Sequence, residues 1–470
     1  MTNTKEFGLI GLGVMGKSLS RNLASKGFRL SLFNRHVIGK EEKVAAHFLA
    51  EFPDELESTL GFDDLNAFVQ SLELPRKIFL MVNAGAPTDA IIHDLVPLLA
   101  PGDILIDGGN AHYKDTQRRV DELVLKGLYF IGSGVSGGEE GALKGPSIMP
   151  GGNRAAYDMV APYLESIAAK DKNGRSCCAY TGNGGAGHFV KMVHNGIEYA
   201  EMQLLAETWF VMRRCMGYSP DVIAGIFEEW HATNASSYLL EITINILRKR
   251  DGDGWLLDNI LDVASNKGTG GWATAAAAEL GVPATMISEA LFARYLSAFV
   301  QERHQAAEIY HFKYQIDPTL TSGMLRDAYQ TARIVNHHQG IHLISAAATA
   351  YRWDLNLTEI ARIWTNGCII RSALMEQLAV TLQQTDRILS DTTIAADVVV
   401  GRQWLCHIAQ VALGAGLAIP CFSAALNFLN GYTETDSPMN LIQGQRDYFG
   451  AHTYQRKDDP EGKAHHTKWT

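Results

Sequence analysis

The sequence predicts an α/β domain followed by a large all-α domain and a short polar tail. Three observations carry this. Short apolar runs alternate with helical periodicities through the first third, and after Tyr180 long helical periodicities take over. From Asn440 onward the chain turns polar, basic and aromatic. A chain of 470 residues exceeds what one core organises, so the expected divisions are 1–181, 182–439 and 440–470. The apolar fraction of 46% and charged fraction of 20% are those of an ordinary soluble globular protein. A net charge of −10 argues against a nucleic-acid partner or a membrane surface, while leaving room for a local cationic pocket. The six cysteines show neither metal-type spacing nor a disulfide framework, which suits a reduced, cytoplasmic compartment. A strand-like run beginning at Phe7 leaves no room for a signal peptide. Gln403 to Thr433 contains no Asp, Glu, Lys or Arg, but His407, Gln410, Gly414, Gly416, Pro420 and Asn427 interrupt it. Two buried helices fit that pattern better than one membrane span.

Taken in order, Phe7 to Ile10 reads as a buried strand. It runs into Gly11-Leu12-Gly13-Val14-Met15-Gly16 and then a helical pattern at Leu19, Leu23 and Ala24. A G-x-G-x-x-G turn between strand and helix lets backbone amides approach a pyrophosphate, so these six residues are expected to bind a dinucleotide in a Rossmann-type domain. The second strand, Leu30 to Phe33, ends at Asn34-Arg35-His36 with no acidic residue for a ribose 2′-hydroxyl. Arg35 suits a 2′-phosphate instead, so NADP is the favoured coenzyme, with NAD the alternative. The run Ile78 to Val82 ends in Asn83-Ala84-Gly85, and Ile104 to Ile106 ends in Asp107-Gly108-Gly109-Asn110. Ligands of open α/β sheets lie at the carboxyl ends of strands, which places Val82, Asn83, Ala84 and Asn110 in the coenzyme crevice. Phe130 and Ile131 read as a strand, and Gly132 to Gly138 as a glycine-rich turn suited to anion capture.

Lys191, His194, Asn195 and Glu198 fall within roughly 100° of one helix face, while Val190, Val193 and Ile197 point elsewhere. A base, an acid, an imidazole and an amide together, after a glycine-rich loop from Gly182 to Gly187, look like an active-site wall. The plainer alternative is a solvated face with a Lys and a Glu two turns apart. Met202 to Met212 and Ser288 to His304 read as long helices. Met202 to Trp230 and Ile341 to Trp364 share a helix–turn–helix–Trp outline, a weak sign of internal duplication. Asn266 to Trp272 forms a compact polar turn, and Arg294 sits among Leu291, Phe292, Tyr295 and Leu296, where a cation needs a partner. In the tail, Tyr448, Phe449 and Tyr454 accompany Arg446, His452, Arg456 and Lys457, which suggests docking, for instance on another subunit.

Together these motifs resemble the decarboxylating 6-phosphogluconate dehydrogenases of the pentose phosphate pathway over nearly the whole chain. Its marks are the Gly11 turn, Asn34-Arg35, Asp107 to Asn110, Gly134 to Ala142, Lys191 to Tyr199, Asn266 to Trp272 and Asn440 to His452. The resemblance implies a Rossmann-type coenzyme domain, a large helical domain and a homodimer whose C-terminal tails reach into the partner. It implies oxidative decarboxylation of 6-phospho-D-gluconate to D-ribulose 5-phosphate, with reduction of NADP and no metal. By that likeness Lys191 is the general base and Glu198 the acid. Asn110, Ser136, Gly137, Gly138, His194 and Asn195 would hold the carboxylate and hydroxyls of the substrate. Tyr199, Lys267, Thr269 and Arg294 would hold its phosphate, joined by Arg446 and His452 from the other subunit. The chain departs from the common pattern at His36, where relatives often have Ser or Thr, at Asn83, often Lys, and at Gly271, often Lys. Rival expectations are a β-hydroxyacid dehydrogenase acting on another acid, and a non-catalytic coenzyme-binding protein. Retention of Lys191, Glu198, Arg294, Arg446 and His452 weighs against both.

Overall fold

A computed structural model describes residues 4–265, 268–310 and 316–469. Its first part is built on seven strands: β1 (Phe7–Ile10), β2 (Leu30–Phe33), β3 (Leu60–Phe62), β4 (Lys77–Leu80), β5 (Ile104–Asp107), β6 (Tyr129–Ser136) and β7 (Ser147–Gly152). They lie in the order β3-β2-β1-β4-β5-β6-β7, with β1 to β6 parallel and β7 antiparallel to β6. The reversal of strand order beside β1 is the switch point at which doubly wound sheets bind their ligands. β1, β2 and β5 are buried at every position, as parallel strands covered by helices on both faces must be.

The glycine-rich run after Ile131 is strand rather than turn. β6 continues through Ser136 because β7 pairs with it from Ile131 opposite Gly152 to Ser136 opposite Ser147. The turn begins only at Gly137. This moves Ser136 to a strand end, where its neighbours are fixed by a backbone ladder.

The helical part begins with Ala186–Arg214, whose first turns pack on β6 and β7 and whose remainder enters the helical core. A second long helix, Ser322–Tyr351, runs against it and is backed by Thr392–Gly414. Each of the first two is followed by two shorter helices, Pro220–His231 and Tyr238–Arg248 in one case, Leu357–Ile363 and Ala373–Thr381 in the other. Ser237 and Ser372 cap the last helix of each set and pair with one another in an antiparallel bridge. The repeated outline therefore corresponds to two similar three-helix units that meet at matching positions.

The helix expected from Ser288 to His304 is broken into Thr285–Ser297 and Val300–Tyr310. Arg303 reaches back and donates to the Ser297 carbonyl at 3.0 Å, satisfying a group the break exposes. The uncharged stretch Gln403 to Thr433 falls in Thr392–Gly414 and Pro420–Tyr432, the second opened by its proline. Among the described residues no helix is long and apolar enough to cross a membrane.

The tail consists of the helix Met439–Gly450 and a two-stranded hairpin, Tyr454–Gln455 with Ala464–His465. Asp447 is fully buried at their junction. It accepts from the backbone amides of Thr453 and Thr467 at 3.0 Å, and from His466 Nδ1 and Trp469 Nε1 at 2.9 Å. Burial alone would raise its carboxyl, but these donors pull it down to about 2.

Candidate active site

Backbone hydrogen bonds set three turns side by side at the carboxyl edge of the sheet. Gly11 N donates to Phe33 O at 2.9 Å, Met81 N to Ile10 O at 2.8 Å, and Gly108 N to Leu80 O at 2.9 Å. Gly11 has φ +97°, and a Cβ there would lie 2.5 Å from Met81 O; a Cβ on Gly16 would lie 1.9 Å from Gly11 O. Only glycine closes so tight a turn. The helix Val14–Ser25 then starts with no side-chain cap and no acidic residue in its first turn, so its amides and positive dipole end suit a phosphate. Leu12 N donates to Asn34 Oδ1 at 3.0 Å, tying the end of β2 to the glycine turn.

Asn110 is exposed after β5, on a turn fixed from beneath. Fully buried Asp107 accepts from Gly109 N at 3.0 Å and from Arg119 Nη1 at 3.3 Å, and Arg119 also pairs with Asp89 at 2.8 Å. Arg119 was not legible in the sequence, where it reads with Arg118 as a solvated pair in an amphipathic helix. The available signal was Asp107, an acid at the end of an apolar strand.

Arg35 and His36 are exposed beside the glycine turn. The residues directly after β2 carry no acid, as read from the sequence, but one reaches them in space. A closed turn brings Glu41 back, and its carboxylate accepts from Asn34 Nδ2 and Arg35 Nη2, both at 3.0 Å.

The Lys191 face exists as a helix face, but it is no solvated surface. Gly134 on β6 lets the helix approach closely; a Cβ there would lie 2.3 Å from Lys191 Cβ. Lys191 is only 6% exposed, with Nζ 3.5 Å from His194 Nδ1. Burial lowers its pKa, against the opposing pull of Glu198 and Cys368. His194 is fully buried, with Nε2 3.3 Å from Ser136 Oγ and Nδ1 3.4 Å from Asn195 Oδ1. Its Nδ1 lies 3.8 Å from Glu198 Oε2, and its ring meets Trp364 edge-on at 5.4 Å. Burial, and then the neighbouring Lys191, push its pKa well down, so the imidazole is neutral.

One residue beyond Glu198, Tyr199 opens a second cluster. The Arg294 guanidinium stacks 3.5 Å from the Tyr199 ring centre and donates to Ser265 O at 3.2 Å. The cation that needed a partner has found an aromatic face. A Cβ on Gly270 would come within 2.8 Å of the same ring, so the start of helix Thr269–Glu279 abuts Tyr199, with Thr269 5% exposed. Tyr199, Thr269 and Arg294 are thus brought together; Lys267 lies outside the described residues. Arg446 donates to Gln443 Oε1 at 3.1 Å and His452 packs edge-on against Phe449. Among the described residues, these contacts stay within the tail.

A dinucleotide turn at a sheet switch point, with a buried lysine packed on β6 of the same sheet, defines the class as a nicotinamide-coenzyme dehydrogenase. Arg294, stacked on Tyr199 one residue beyond Glu198, offers a cation suited to an anionic substrate. Residues 6–182 match the NAD binding domain of 6-phosphogluconate dehydrogenase, and residues 187–469 match the 6-phosphogluconate dehydrogenase C-terminal domain. The chain is 45% identical to the decarboxylating 6-phosphogluconate dehydrogenase of Chlamydia pneumoniae, over 98% of this chain and 97% of that one. It is equally 45% identical to the NADP(+)-dependent decarboxylating enzyme of Bacillus subtilis strain 168, over 99% of each. The solved 6-phosphogluconate dehydrogenase of Plasmodium falciparum, studied as apo form and with NADP+ and 6-phosphogluconate, superposes with a TM-score of 0.94. It shares 36% identity, over 99% of this chain and 100% of its own. The chain belongs to the 6-phosphogluconate dehydrogenase family.

Proposed function

We propose that this protein oxidises 6-phospho-D-gluconate with NADP and decarboxylates it to D-ribulose 5-phosphate and carbon dioxide. The observation that carries this reading is the position of Lys191. It is buried against Gly134 of β6, on the helix whose next turns carry Glu198 and Tyr199, and Tyr199 meets Arg294. The NADP(+)-dependent relative and the solved relative with NADP+ and 6-phosphogluconate support it.

The cradle at Gly11 and Gly16 and the uncapped helix beyond it fit a dinucleotide. Gly11 to Gly16 would hold the pyrophosphate, Asn34, Arg35 and His36 the 2′-phosphate side, and Val82 to Ala84 with Asn110 the far side. NADP, when bound, accepts the hydride from C3. Lys191 takes the C3 hydroxyl proton, a role open to a lysine whose burial favours the neutral amine. As an ammonium it then stabilises the negative charge on the C3 oxygen while the carboxylate leaves as carbon dioxide. Glu198 returns a proton to C1 of the enediol. Ser136, Gly137, Gly138, His194 and Asn195 orient the carboxylate and hydroxyls, with Asn110 at the coenzyme side. Tyr199, Lys267, Thr269 and Arg294 receive the phosphate.

The assembly we infer is a cytoplasmic homodimer that exchanges tails, each supplying Arg446 and His452 to the partner's phosphate site. Large apolar side chains left exposed at Phe292, Leu296 and Phe299, and in the tail at Leu441, Tyr448 and Phe449, support such an interface.

Initial rates with 6-phosphogluconate, run in parallel with NADP and NAD, test the reaction; turnover favouring NADP is expected, and no turnover with either overturns it. Arg446→Ala should raise the KM for 6-phosphogluconate about 10- to 100-fold, the worth of a charge-assisted contact to phosphate. An unchanged KM would remove Arg446 from the site. Mixing Arg446→Ala with Lys191→Ala subunits tests the exchange. Mixed dimers combine one intact lysine with one intact tail arginine, so activity at low substrate should recover; no recovery overturns the crossing.

A further inference from the structure

Arg35 is the cation expected to recognise a 2′-phosphate, yet its guanidinium already has an anion. Glu41 Oε1 accepts from Arg35 Nη2 at 3.0 Å, and Glu41 Oε2 accepts from Arg35 Nε at 3.4 Å and Asn34 Nδ2 at 3.0 Å. Two long side chains meeting on a surface would mean little. Here the turn itself delivers the carboxylate: Val37 N donates to Glu41 O at 2.9 Å and Glu41 N to Val37 O at 2.8 Å. Gly39 N donates to Glu42 Oε1 at 2.7 Å, closing the loop further. Asn34 is in turn bound by Leu12 N, so Glu41 is connected to the dinucleotide turn through one side chain. Arg35 and then Asn34 hold the Glu41 carboxyl below its usual range, so it is charged at neutral pH.

We propose that Glu41 is a specificity-determining residue that competes with the 2′-phosphate of NADP for Arg35 and narrows the preference over NAD. The proposal rests on the reading of this crevice as an NADP site. A phosphate at this position must either displace Glu41 from Arg35 or lie beside its like charge, and both weaken binding. The 2′-hydroxyl of NAD carries no such charge and meets neither cost. Asn83 adds no cation on the neighbouring turn to offset the acid.

Glu41→Gln keeps the length and removes the charge. Calorimetric titration of the full-length protein at low salt should show the NADP dissociation constant falling about three- to tenfold, with NAD changing less than about twofold. Raising the salt should shrink the difference. An unchanged NADP constant, or equal changes for both coenzymes, overturns the proposal, because the second would mark a purely structural turn residue. In the Arg35→Ala background the same substitution should bring no gain; a persisting gain would show a general field effect and overturn the competition. Because the readout is binding, loss of the proposed reaction would leave it standing. Failure of the unaltered protein to bind NADP would instead sink the coenzyme assignment.

Discussion

Replacing Lys191 with alanine is expected to lower kcat about 10³-fold or more, while the NADP dissociation constant stays within about twofold. The size follows from two roles on one atom. In the proposed mechanism Nζ removes a proton and then supplies the positive charge that stabilises the C3 oxygen, and the adjacent His194, held neutral, would not replace that charge. The pH dependence has a definite sign. The starting amine must be neutral, so kcat/KM should fall as pH drops through the Lys191 pKa, which burial places below the ordinary lysine value. Lys191→Arg separates the two roles, because a guanidinium keeps the charge and cannot act as the base. It should be nearly as slow as alanine. Turnover unchanged in the alanine variant would remove Lys191 from the mechanism.

Glu201→Ala is expected to cost about 3–5 kcal/mol of stability, read from the urea midpoint. Glu201 lies on the Lys191 helix and is 2% exposed; Arg333, on the long helix packed against it, is 1% exposed, and the two pair at 2.7 Å. Removing the carboxylate leaves a buried guanidinium with only Ala235 O and Gln330 Oε1 as acceptors among the described residues. Asn336, one turn further along, donates to Ile197 O at 3.0 Å, so the same helix pair is fastened on both sides of Glu198. A midpoint shifted by less than about 1 kcal/mol would mean that water reaches the arginine.

The elements legible in the sequence were those whose cause is local. The glycine turn after β1, the acid-ended β5 and the spacing of Lys191, His194, Asn195 and Glu198 each declare themselves within a dozen residues. β7 did not, because Pro150, Gly151 and Gly152 argue against a strand and only pairing with β6 makes it one. The burial of the Lys191 face was equally hidden, since it depends on Gly134 from a different segment. Arg294 showed that it needed a partner, but not that Tyr199 would be that partner, 95 positions away in the chain if one counts from their numbers. Glu41 was missed because a turn, not a strand end, carries it to Arg35.

Asp447 gives the tail a property that matters before any second subunit arrives. By collecting four donors it folds the hairpin onto its own helix, so the loss of chain entropy falls within one subunit. In the tail-exchanged dimer proposed above, association would then cost mainly the rigid-body freedom of two bodies. Tails so folded would dock as preformed shapes, with no coupled folding step.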